Sequence, residues 1–234
     1  MPRLALLLVS FWFLALFVFR TALQWWRTGS GGIRGFSGSV GSLEWSAGLL
    51  ASLGMAAAVA TPAVTLLGWP GGTVWISNAA LHLAGAAVAC IGIVGALVSQ
   101  VTMGDSWRIG VDEGETTRLV TRGAFAWVRN PIFSFMVLSG AGLLAVLPTT
   151  FTLAAVALTV AGIEIQVRAV EEPHLDRTHG ASYRDYASRV GRFAPGVGLL
   201  RPAERTGPRD PDGVRYTGSG AGRSAAARAR TTTS

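Results

Sequence analysis

Residues 75–101 read WISNAALHLAGAAVACIGIVGALVSQV, and this stretch decides the fold. It carries no Asp, Glu, Lys or Arg along its whole length. A bilayer core asks for roughly 20 apolar residues in helical conformation, so the segment predicts a membrane-spanning helix. Working outward, the same reading predicts spans at about Leu4–Trp26, Leu43–Leu67, Ile132–Leu147 and Thr149–Val170. Half of the residues in the 234-residue chain are hydrophobic and only 14% are charged. An ordinary soluble domain carries roughly 25% charge. The expected class is therefore all-α: a polytopic membrane helical bundle of about five transmembrane helices, followed by a cytoplasmic C-terminal region. Between the fourth and fifth spans Pro148 reverses the chain, which predicts a tight helical hairpin.

The segment Pro2–Phe19 resembles a signal peptide, but its apolar run is longer than the usual ~7–15 residues and no small-x-small site precedes Arg20. A retained first helix is expected, with Arg20 snorkelling near its end and Trp25 and Trp26 at the interface. All basic residues are Arg, as in a GC-rich bacterial genome, and the net charge is +7. The arginines are scattered between and after apolar segments. Nucleic-acid binding would need one patch with interleaved aromatics, so the expected partner is the lipid bilayer. The links Gly68–Val74 and Pro148–Thr150 carry no charge. The positive-inside rule then puts the N-terminus outside and the C-terminus in the cytoplasm, in a multi-pass bacterial cell-membrane protein.

Three regions are expected: transmembrane helices over 1–101, a region with the helical hairpin over 102–200, and a basic, unfolded tail over 201–234, poor in bulky apolar residues. Cys90, the lone cysteine, is read as a small packing residue. His82, inside the third span, is read as packed and hydrogen-bonded. His174 and His179 match no trusted zinc spacing, so no metal is expected.

Polar groups at membrane depth attract a functional hypothesis. Glu164, Gln166, Arg168, Glu171 and Glu172 cluster at the end of the last span. Counted on an α-helix, Glu164, Arg168, Glu171 and Leu175 share a face, and Glu164 with Arg168 makes an i,i+4 pair. Tyr183, Tyr186 and Val190 fall on one face of a short helix; on spacing alone this is an amphipathic interfacial helix. Upstream, Gly123 permits an unusual turn, and Pro131 suits the first turn of a helix. Arg129 beside that helix start would attract an anion, or snorkel as a positive-inside arginine.

The order Gly123-x-Phe125-x-x-x-Arg129-Asn130-Pro131-x-Phe133, a hairpin, Glu171-Glu172-x-x-Leu175, then Gly180-x-x-Tyr183-x-x-Tyr186-x-x-x-Val190-x-Arg192-Phe193-x-Pro195 resembles the isoprenylcysteine carboxyl methyltransferase family. That family is related to the membrane phospholipid methyltransferases. The resemblance covers roughly Trp107–Pro195. It implies S-adenosylmethionine as methyl donor and a small lipophilic acceptor (a carboxylate, thiol, phenol or lipid headgroup) entering from the membrane. It also implies catalytic roles for Arg129 and Glu172, and a cofactor pocket formed by Gly123, Asn130, Pro131, Glu171, Tyr183, Tyr186 and Arg192. Asn130 stands where His is usual and Phe133 where Tyr is usual. Asn takes no proton near neutral pH, which puts a base at that position in doubt. Two other readings stay open: an NADPH-dependent membrane reductase of the sterol-reductase type, and a non-catalytic membrane protein.

Overall fold

The computed structural model describes residues 1–31, 38–104 and 119–200. The charged residues Asp105, Arg108, Asp112, Glu113, Glu115 and Arg118, and the expected unfolded tail, lie outside the described residues.

The first helix, α1, is continuous over Pro2–Thr28, with a π turn at Leu14–Phe19. It is followed by α2 (Leu43–Leu66), α3 (Ala79–Met103), α4 (Pro131–Val146), α5 (Thr150–His179) and α6 (Ala181–Arg189). α1, α2, α3 and α5 are long and apolar enough to cross a membrane; α4 is a shorter apolar helix. Among the described residues the named elements are thus all helical, as the composition requires. The third span starts later than hydropathy suggests. Residues 75–78 stay outside the helix because Asn78 caps it, its Oδ1 accepting from Leu81 N at 3.0 Å.

α5 follows α4 after a short reversal at Leu147–Thr149, yet the two are not each other's main partners. α3 packs along α4, and α2 along α5. Small residues decide this. A Cβ placed on Gly142 of α4 would run into the Ala89 backbone of α3, and one on Gly162 of α5 into Ala51 of α2. Without a hydrophobic drive between helices in lipid, such close backbone approach supplies the attraction.

Two side chains depart from expectation. Cys90 is exposed, on the α3 face turned away from the buried Gly85, Ala89 and Gly92. Arg20 does not snorkel: it is fully buried and donates Nη2 to Gly104 O at 2.8 Å. The π turn just before it adds a residue to the helical turn, rotating the downstream side chains by about 100°. His82 is buried, as expected, with Nδ1 3.1 Å from Ala145 O.

Candidate functional site

The site forms where the start of α4 meets the segment after α6. Gly123, at φ 62°, opens a 3-10 turn over Gly123–Ala126. Beyond it the chain runs extended and pairs with the segment 191–193. Arg129 N donates to Gly191 O at 2.7 Å and Asn130 N to Arg192 O at 3.0 Å. The Asn130 side chain repeats that contact, Nδ2 to Arg192 O at 3.2 Å. One turn later Ser134 Oγ donates to Phe193 O at 2.8 Å. Three successive carbonyls are thereby held by the start of α4. Pro131 occupies the first helical turn, where its missing N–H leaves no bond unmade.

This pairing delivers two arginines to one carboxylate. Arg129 is 6% exposed. Its Nη2 donates to Glu172 Oε1 at 2.6 Å and to Gly198 O at 3.0 Å. Its Nη1 donates to Ala187 O at 3.0 Å and Val190 O at 2.6 Å. Arg192 grips the same carboxylate with both ends of its fork, Nε to Oε1 and Nη2 to Oε2, each at 2.8 Å. Hydrogen bonding to Glu172 holds the Arg192 guanidinium pKa above its usual value. Two cations on one anion leave the trio with a net positive charge.

The tyrosines stand behind this trio. Tyr183 and Tyr186 are buried with Ala187, against Leu119, Leu175, Val190 and Leu200. Helix α6 therefore turns its tyrosines into the protein instead of laying them at the headgroups. Tyr186 OH donates to Phe125 O at 2.5 Å, tying α6 to the 3-10 turn. Burial pushes the Tyr186 phenol up to about 12, and burial followed by the Glu172 charge raises that of Tyr183. Both rings are neutral phenols at physiological pH.

The structure brings Arg129, Asn130, Glu172, Tyr183, Tyr186 and Arg192 together, with Pro131 beneath them. The Glu164–Arg168 pair forms at 2.5 Å on a well-exposed face. The face counted through Glu171 does not continue, because Gln166–Glu171 is a π turn. Its wider step turns Glu172, not Glu171, onto the arginines. Glu171 is half-buried and makes no ion pair among the described residues. Gly123 stands apart, with Thr102 of α3 as its neighbour. Sequence reasoning missed Ser134, and it missed Gln100 of α3, which is 4% exposed and bonded to Leu16 O at 3.3 Å. A lone Gln near the end of an apolar run was the available signal.

Among the described residues, two cavities stand out, and neither is lined by a member of the charged trio. One, of about 50 Å³, is lined mainly by apolar side chains from α1 to α5, among them Trp12, Met55, Ile93 and Met136. Met136 is two turns along α4 from Arg129.

Residues 80–182 match the phospholipid methyltransferase family model, the relation that the motif order implied. The match covers less than half of the chain, from the start of α3 to the start of α6. Tyr183, Tyr186 and Arg192 lie just past its end. No curated protein matches the chain. Together, the match and the apolar helices give a multi-pass membrane protein with a segment similar to the phospholipid methyltransferases.

Proposed function

Taking residues 80–182 as a phospholipid methyltransferase segment, we propose that the protein is an S-adenosylmethionine-dependent methyltransferase of the membrane, acting on a small lipophilic acceptor. The observation that carries this reading is the Arg129–Glu172–Arg192 trio at one end of an apolar bundle, with Glu171, which makes no ion pair among the described residues, next to it in the chain. This donor set suits a zwitterionic ligand. Glu171 is the carboxylate offered to its ammonium group. Arg192, the more exposed of the two arginines, can turn a further N–H to its carboxylate. When bound, S-adenosylmethionine supplies a methyl group on a cationic sulfur, open to in-line displacement that needs alignment more than acid–base help.

Arg129 and Glu172 act here as positioning residues. Arg129 joins the start of α4 to Ala187, Val190 and Gly198, and Glu172 ties α5 into the same knot. Asn130 works as a latch on Arg192 O and needs no proton to do so. An acceptor dissolved in the bilayer reaches this end between the helices, while the water-soluble donor arrives from the aqueous side. We assign that side to the cytoplasm, with the N-terminus outside, from the arginine-rich links at this end of the bundle.

Ligand-induced stabilisation of the detergent-purified protein tests the reading. At a hundredfold its dissociation constant, a ligand specific for the folded state adds roughly 2.7 kcal/mol. S-adenosylmethionine and its demethylated product are expected to raise Tm, and NADPH to leave it unchanged. Stabilisation by NADPH alone would overturn the proposal.

A further inference from the structure

Residues 193–200 read FAPGVGLL and hold no Asp, Glu, Lys or Arg. Connecting segments that face water are ordinarily polar. This one turns its apolar side chains outward: Val197 is 63% exposed and Leu199 46%. Beside it stands Trp127, 73% exposed. Its neighbour Val128 is buried and pairs with Gly191 in an isolated bridge. Gly191 in turn lies against the turn that follows it, where a Cβ would meet Ala194 O and the amides of Gly196 and Val197. The aromatic ring and the apolar turn therefore stand on one paired scaffold.

The backbone of this turn is closed on the protein itself. Arg192 N donates to Val197 O at 2.7 Å, and Val197 N to Ala194 O at 3.1 Å. Gly196 and Gly198, each at φ 74°, let the chain fold this tightly. The carbonyls of Gly191, Arg192 and Phe193 are held by the start of α4, and that of Gly198 by Arg129. Pro195 brings no N–H that needs a partner. Backbone groups met within the protein are what a medium poor in water demands; a turn in bulk water has no such need.

The place of the turn in the bundle identifies that medium. The 3-10 turn ahead of Trp127 rests on Thr102 of α3, next to that helix's last residue, Met103. Trp127 stands just ahead of Pro131, where α4 begins. Arg20 reaches Gly104, past the end of α3, so the exposed Trp25 and Trp26 close α1 at the same end. Tryptophans gather where a bilayer meets water. We propose that Trp127 and the 194–199 turn form a ledge seated in the boundary between headgroups and acyl chains, with bilayer lipid as its partner. The ledge continues the lipid-facing surface of the helices. Because Gly198 O accepts from Arg129, its seating fixes the charged trio at the membrane surface. This goes beyond the methyltransferase reading and holds whatever reaction the site performs.

Spin labels read the medium directly. The full chain is reconstituted in vesicles of phosphatidylcholine with phosphatidylglycerol. Each label is relaxed by oxygen, which concentrates in hydrocarbon, or by a water-soluble nickel chelate present on both sides of the vesicle. Cys90, exposed in the middle of α3, gives the lipid reference in the wild type. In a Cys90→Ala background, Trp127→Cys, Val197→Cys and Leu199→Cys report the ledge. Asp185→Cys, on the exposed face of α6, reports water. Oxygen is expected to outweigh nickel several-fold at 127, 197 and 199, and nickel to outweigh oxygen at 185. Nickel access at the ledge equal to that at 185 overturns the proposal. Exclusion of both reagents overturns it too, by showing that protein, whether a second copy or another part of this chain, covers the surface. The three ledge positions are read separately, so one variant that fails to fold leaves the others to decide.

Discussion

Replacing Glu172 by Gln removes one negative charge from between two arginines and keeps the shape of the side chain. In the wild type that carboxylate accepts three charge-assisted bonds, one from Arg129 and two from Arg192. Gln offers a single acceptor oxygen and turns an N–H toward one of the guanidinium groups. Arg129 is 6% exposed and stays in place through its bonds to Ala187, Val190 and Gly198. It becomes a buried cation without a counter-charge. Breaking one partner of a buried pair costs roughly 3–5 kcal/mol. The oxygen that Gln retains brings the expected loss to about 2–4 kcal/mol. For a chain of this size each kcal/mol moves Tm by roughly 2–4 °C, so a fall of about 5–15 °C is expected. The measurement is thermal unfolding in detergent, followed by tryptophan fluorescence. Glu164→Gln is the control. Its partner Arg168 is well exposed, and such i,i+4 pairs contribute only about 0.3–0.5 kcal/mol. Equal Tm values for the two variants would show that the trio is an ordinary surface charge cluster and would refute the reasoning.

A side chain at Gly142 has no room against the Ala89 backbone, so Gly142→Val is expected to separate α3 from α4. The cost is about 1–3 kcal/mol or more, read as lost monodispersity and lowered Tm. Tyr186→Phe leaves the Phe125 carbonyl without its hydroxyl donor. It is expected to lower stability by about 1–3 kcal/mol, with no change if that contact is incidental. The raised Tyr186 pKa also sets an alkaline limit. Unfolded tyrosine ionises near 10 and the folded side chain near 12. In that window the folded state holds a proton that the unfolded state has lost, so stability falls as pH rises. A two-unit difference amounts to about 2–3 kcal/mol by pH 12, and Tyr186→Phe is expected to flatten that part of the stability profile. Wild type and variant losing stability in parallel would contradict it.

Much of this molecule is legible in its sequence, for identifiable physical reasons. Apolar runs long enough for a bilayer, free of charge, leave helices as the one backbone solution, because every N–H and C=O must be met internally. The span boundaries follow from the same logic, except where a single capping side chain, Asn78, overrides hydropathy. The pairing of Arg129, just ahead of α4, with Glu172 of α5 was open to sequence reading only through the order of its motifs.

The tertiary structure decided what depends on helical phase and on distance along the chain. Two π turns, at Leu14–Phe19 and Gln166–Glu171, carry no residue signature, yet each rotates the next polar side chain. One buries Arg20, and the other turns Glu172 instead of Glu171 toward the arginines. Helix partnership was likewise closed to sequence reading. Neighbours in the chain suggest an α4–α5 hairpin, but backbone approach at glycines joins α3 to α4 and α2 to α5. Composition and periodicity settle what a segment can be, since both act within one element. Which side chains meet depends on phase and packing between elements, and only the folded chain sets those.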